Sequence, residues 1–138
     1  MNVWVIVATG QSLTPEQVEY VRIAREAGKC SVAVVSNAYT LAPWADMLVS
    51  ADHDWWRMHP QALEFAGTKY SRMEYSGKVK GFIYRNHGLV NGSNSGLLAM
   101  AIARDVKKAQ RLILLGFDMH GTHYFGPHPK GQIGRAHV

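Results

Sequence analysis

The sequence predicts an α/β domain in which a mostly parallel sheet is flanked by helices. Three observations carry this expectation. Val3–Ala8, Ser31–Val35 and Arg111–Leu115 are short apolar runs without polar alternation, as expected of strands buried on both faces. Segments with helix-start signals lie between them. Each run also stops abruptly at small or polar residues. Buried strands alternating with helices imply right-handed crossovers and one sheet covered on both sides.

The elements follow in order. Val3–Ala8 is the first strand. Thr14-Pro15-Glu16-Gln17 supplies an N-cap, a proline at the first helical position and a capping-box glutamine; Val18, Val21 and Ala24 follow at helical spacing, and Gly28 ends the helix. Ser31–Val35 is the second strand and Met47–Ser50 a short third. Residues 54–65 are predicted helical, with Trp55, Met58 and Leu63 on a packed face. Residues 66–92 are punctuated by glycine, and Val79–Tyr84 is their best strand. Ser93-Asn94-Ser95-Gly96 opens a helix reaching Ala109, and Arg111–Leu115 is the last strand.

Length and composition agree with one folded domain. The chain has 138 residues, 47% hydrophobic and 18% charged, a globular balance. No apolar run approaches the length of a membrane span and no signal region precedes the first strand, so a cytoplasmic protein without a membrane partner is expected. Cys30 stands alone, which excludes an internal disulfide and a multi-cysteine metal site. The net charge of +5 is spread along the chain with no dense basic run, which argues against nucleic acid and fits attraction of small phosphate-bearing molecules. Residues 132–138, Gln-Ile-Gly-Arg-Ala-His-Val, back-translate as CAG ATC GGA AGA GCA CAC GTC, the start of a common sequencing-library adapter. They are read as a non-native tail to a domain of residues 1–131, and the natural gene is expected to continue past Gly131.

Function is sought where the strands end. Thr9-Gly10-Gln11-Ser12, Ser36-Asn37, Ala51-Asp52 and Gly116-Phe117-Asp118 would share the carboxyl edge of a parallel sheet, where α/β proteins bind ligands. Gly10 would let the backbone turn and approach a ligand, and Ser12 with the free amides of the next helix could bind an anion. An ordinary strand-to-helix turn is the alternative. Ser93-Asn94-Ser95-Gly96 adds a second helix start that could cap the helix, contact phosphate, or both. In "DMHGTHYFGPHP", His120, His123 and His128 could bind a metal, act as base or phosphate contact, or lie solvated in a loop; their spacing matches no standard metal motif. His53, His59 and His87 are read as structural or surface residues. Trp44, Trp55 and Trp56 could stack on a base or pack in the core.

Four stretches carry a resemblance. "VIVATGQSL" resembles the "GNGPSL" opening of the family 42 sialyltransferases and of bacterial and phage proteins that share their Rossmann-like fold. "SNAYTLAPWADMLVSAD" is similar to the segment that follows, "NSGLLAMAIARDVKKAQRLILLGFD" to the family's Ser-Gly helix and final "GxD" strand, and "HYFGPHP" to its histidine-bearing loop. The similarity covers most of residues 3–130. Gln11 stands where proline is usual and Thr9 where asparagine is usual, the His128 loop contains an extra proline, and the acceptor-binding lid is expected to be absent or lost in truncation.

The resemblance implies a nucleotide-binding set of Gly10, Gln11, Ser12, Asn37, Asp52, Ser95, Gly96 and Asp118. It implies a catalytic pair of His128, as base toward an acceptor hydroxyl, and Tyr124, beside the departing phosphate. The expected partner is a nucleotide or nucleotide sugar, with no metal or other cofactor; a homo-oligomer is also entertained. Two other readings remain open. One is a non-catalytic phage accessory protein that sequesters a nucleotide or serves assembly, and the other is metal-dependent hydrolysis through the histidine loop.

Overall fold

A computed structural model describes residues 1–71 and 94–118, together with the backbone of 82–84. In chain order the elements are β1 (Val3–Val7), α1 (Pro15–Glu26), β2 (Ser31–Val35), a 3-10 turn (Ser36–Thr40), β3 (Met47–Val49), α2 (His53–Met58), a second 3-10 turn (Pro60–Glu64), β4 (Thr68–Ser71), β5 (Phe82–Tyr84), α3 (Ser95–Asp105) and β6 (Arg111–Leu115). The six strands form one sheet in the order β5-β4-β3-β2-β1-β6, and every pairing is parallel. The chain therefore steps outward from β1 to β5 in one direction and returns to place β6 on the other side of β1.

Period-two geometry sorts the strand side chains between two core layers. Trp4 and Ile6 of β1, Ala33 and Val35 of β2, and Met47 and Val49 of β3 pack with Leu98 and Ile102 of α3. Val5, Val7, Val32, Val34 and Leu48 face the other way, toward Val21 of α1 and Trp56 of α2. α3 lies close to the sheet because Ala99, Ala101 and Ala103 join Leu98 and Ile102 among its buried residues. α1 is held at its start by the expected capping box. The Thr14 side chain accepts from the Gln17 amide at 3.1 Å, and the Gln17 side chain accepts from the Thr14 amide at 3.0 Å. Gly28, at φ 76°, turns the chain out of the helix.

Four expectations change. The helix foreseen over 54–65 is α2 followed by a 3-10 turn, because Pro60 has no amide to donate and its ring keeps His59 out of the helical conformation, at φ −129° and ψ 66°. Met58 does not join a packed face but is 74% exposed, whereas Trp56 is fully buried. β4 was not foreseen: Thr-Lys-Tyr-Ser has no apolar run, yet Lys69 and Tyr70 are buried in it. The strand read at Val79–Tyr84 is β5 at its end, and residues 79–81 lie outside the described residues.

The amino edge of the sheet is tied together by Asp46. Its carboxylate accepts from Arg25 Nε at 3.0 Å and Nη2 at 2.9 Å, and from the Val32 amide at 2.8 Å. Its own amide donates to the Val32 carbonyl, and its carbonyl accepts from Thr68. One residue thus joins the end of α1 to the starts of β2, β3 and β4, and the hydrogen bond to Asp46 holds the Arg25 guanidinium above its ordinary pKa. Asp46→Ala is expected to cost about 1–3 kcal/mol in urea denaturation, since it leaves a strand amide and a guanidinium without their acceptor. A loss within experimental error would remove Asp46 from this role.

Lys69, 3% exposed, donates to the Phe65 carbonyl at 2.9 Å, and burial pushes its pKa below the usual lysine range. Between the folded and unfolded pKa values the unfolded chain binds more protons, so this residue's contribution to stability rises with pH across that window. The stability of Lys69→Met minus that of the wild type should therefore be level below the folded pKa and fall as pH climbs toward the unfolded value. Denaturation at a series of alkaline pH values measures this; a difference independent of pH would refute it.

Candidate functional site at the carboxyl edge

The reversal of strand order between β1 and β6 is the topological switch point of the sheet, the place where open α/β sheets commonly bind ligands. Here the chain closes on itself. The Ala8 amide donates to the Leu115 carbonyl at 2.8 Å and the Gly10 amide to the Gly116 carbonyl at 2.7 Å, extending the β1–β6 ladder into the loops. Asp118, 8% exposed, then reaches across. Its carboxylate accepts from the Ser12 amide at 2.9 Å and from the Ser12 hydroxyl.

This geometry corrects the role expected of Gly10. Its φ is not in the left-handed region, and a Cβ there would stand 2.7 Å from the Asp118 Cγ and overlap the Gly116 carbonyl. Glycine is required here because the β6 loop packs onto it. Gly116, at φ 76°, is the residue in the left-handed conformation, and its Cβ would overlap the Ala8 carbonyl. The anion placed against Ser12 is therefore the chain's own carboxylate.

A second group lies at the ends of β2 and β3. Ser36 holds φ 49°, a left-handed conformation that is uncommon for a residue with a side chain, and its hydroxyl is 3.0 Å from that of buried Ser50. Next to it, exposed Asn37 accepts from the Trp55 indole at 2.6 Å. Trp55 is stacked on His59 with centroids 4.4 Å apart, and Tyr39 and Trp56 meet it edge to face at 5.8 and 5.0 Å. His59 Nδ1 lies 2.8 Å from the Trp55 carbonyl, which fixes the stack. Asp52 caps α2 by accepting from Asp54 at 2.9 Å. The Ser95 hydroxyl accepts from the Ala51 amide at 2.8 Å, which pins the start of α3 to the end of β3, and Asn94 caps α3 through the Leu97 amide at 3.0 Å.

The structure thus brings Gly10, Gln11, Ser12, Asn37, Asp52, Ser95, Gly96 and Asp118 to one edge, in two groups. Gly10, Ser12 and Asp118 satisfy one another at the switch point, with Gln11 exposed in the turn between them. Asn37, Asp52, Ser95 and Gly96 surround the ends of β2 and β3. Tyr124 and His128, with His120 and His123, lie outside the described residues; among the described residues no group of histidine, cysteine or carboxylate side chains could hold a metal ion. Of the tryptophans, Trp56 is a core residue whose indole donates to the Ser50 carbonyl, while Trp44 and Trp55 are half-buried. Tyr39, Ser50 and His59 were not foreseen as parts of the site. The clustering of aromatic residues with histidine in "DHDWWRMH" was the available signal. Burial pushes the Cys30 thiol above its ordinary pKa, which disfavours the reactive thiolate.

No family model and no curated protein matches the chain. Among solved structures it is similar to the riboflavin biosynthesis reductase Rib7 of Saccharomyces cerevisiae, at 9% identity and a TM-score of 0.31. The likeness covers 83% of this chain but only 58% of that one, so the chain spans less than two thirds of its neighbour's length.

The packing at the switch point gives a sharp expectation. Gly10→Ala should destabilise the fold by about 2 kcal/mol or more, because the added carbon meets backbone and a held carboxylate rather than a yielding side chain. Unchanged thermal stability would show that the β6 loop can withdraw from Gly10.

Proposed function

We propose that this chain binds a nucleotide or nucleotide sugar along the carboxyl edge of its sheet. The observation that carries the reading is the group at the ends of β2 and β3. The carbonyl of the exposed Asn37 amide is fixed by the Trp55 indole, which leaves the amide nitrogen to donate outward beside an aromatic stack held on several sides. A heteroaromatic base with hydrogen-bonding edges suits such a surface. With Asp118 on the Ser12 donors, phosphate is directed to the start of α3, where the helix dipole favours negative charge.

The resemblance to family 42 sialyltransferases supports extending this reading to glycosyl transfer. His128 would then take the proton of an acceptor hydroxyl, and Tyr124 would donate a hydrogen bond to the departing phosphate. The same site without turnover would serve a protein that sequesters a nucleotide.

Thermal shift and calorimetry over nucleoside mono- and diphosphates and nucleotide sugars test the reading. A ligand at 100 times its dissociation constant should stabilise the fold by about 2.7 kcal/mol. Trp55→Leu should weaken that ligand about 10-fold or more through lost stacking. Ser12→Ala should change affinity by less than about 3-fold, near the size of one weak neutral hydrogen bond. No stabilisation by any of these ligands would remove the proposal, and a large loss in Ser12→Ala would return the phosphate to α1. For a ligand that is turned over, His128→Asn should lower the rate by about 10²–10⁴-fold with affinity nearly intact.

A further inference from the structure

Among the described residues, the face of the sheet that carries α1 is not covered as far as its β6 edge. Parallel sheets are normally buried on both faces. Here the described residues leave a groove of about 400 Å³ between α1 and β6, floored by Val3, Val5, Ile113 and Leu115 and walled by Tyr20 and Ala24. The outer side of α1 is apolar as well: Tyr20 is 71% exposed and Ile23 55%, with Ala24 and Ala27 beside them, and Ile113 across the groove is 38% exposed. A ridge and a groove of matching character therefore lie side by side on one patch.

We infer that this patch is the interface of a two-fold dimer, in which α1 of each copy lies antiparallel to α1 of its partner and fills the groove over the partner's β6. An isologous interface must be self-complementary, and a patch that contains both ridge and groove meets that requirement. The charges at its rim meet it too. Glu16 stands at the start of α1 and Lys29 just beyond its end, with Arg22 and Ile23 midway between them. Antiparallel packing about that midpoint sets Glu16 against the partner's Lys29 twice over and brings Ile23 onto its own symmetry mate. Arg22, also at the midpoint, is already neutralised by Glu19 and Glu26. The residues that follow Asp118 are the competing occupant of the groove; residues 119–131, with three glycines and two prolines, offer no sustained apolar pattern of their own.

Sedimentation equilibrium of the full chain tests the inference. The expected result is a dimer at micromolar concentration. Ile23→Glu should weaken it by at least about 30-fold while the circular dichroism spectrum stays native, because a carboxylate would be buried at the centre of the interface. Glu16→Lys and Lys29→Glu should each weaken it by about 3-fold, and the double exchange should restore it, which a general loss of stability would not do. A monomer at all concentrations would overturn the inference, as would a dimer indifferent to Ile23→Glu. A monomer that Ile23→Glu destabilises would assign the face to the chain's own later residues, which also overturns it.

Discussion

The crossing of two loops at the switch point is the constraint on which the rest of the carboxyl edge depends. β1 and β6 are distant in sequence, and only their paired loops bring Ser12 and Asp118 together. Two glycines make the approach possible for different reasons. Gly116 supplies a backbone conformation and Gly10 supplies empty space for a neighbour. The buried carboxylate is then satisfied by an amide and a hydroxyl, which is what a buried charge requires. Among the described residues, the switch point is thus filled by the protein's own groups, and the exposed side chain of Asn37 stands at the end of β2.

The opposite edge is organised with similar economy. Asp46 lies between a turn and a strand and speaks to α1, β2 and β4 through side chain and backbone together. Such a hub ties together the starts of neighbouring strands.

Much of the fold was legible because burial on both faces leaves a simple trace. Val3–Val7 and Ser31–Val35 are such apolar runs; Leu112–Leu115 reads the same way although β6 lies at the sheet edge and is only half-buried, and the polar ends of all three mark one edge. The capping box of α1 is local chemistry and was readable as such. β4 was not, because a lysine buried along its stem and a tyrosine look like surface residues until a neighbour covers them. The direction of Gly10's requirement was also hidden: sequence shows that space is needed, not what fills it. The partners of Asn37 and Ser95 lie 18 and 44 residues away, a separation no local pattern encodes.

Ser36 has an implication beyond its own turn. A residue other than glycine held at φ 49° costs about 1–3 kcal/mol, which the hydroxyl contact with Ser50 and the packed strands on either side must overcome. That cost falls at folding, before any visitor arrives. Asn37 and the ring beside it consequently lose little freedom when something settles against them, so selectivity at this corner would come from rejecting shapes that do not fit rather than from adapting to those that do.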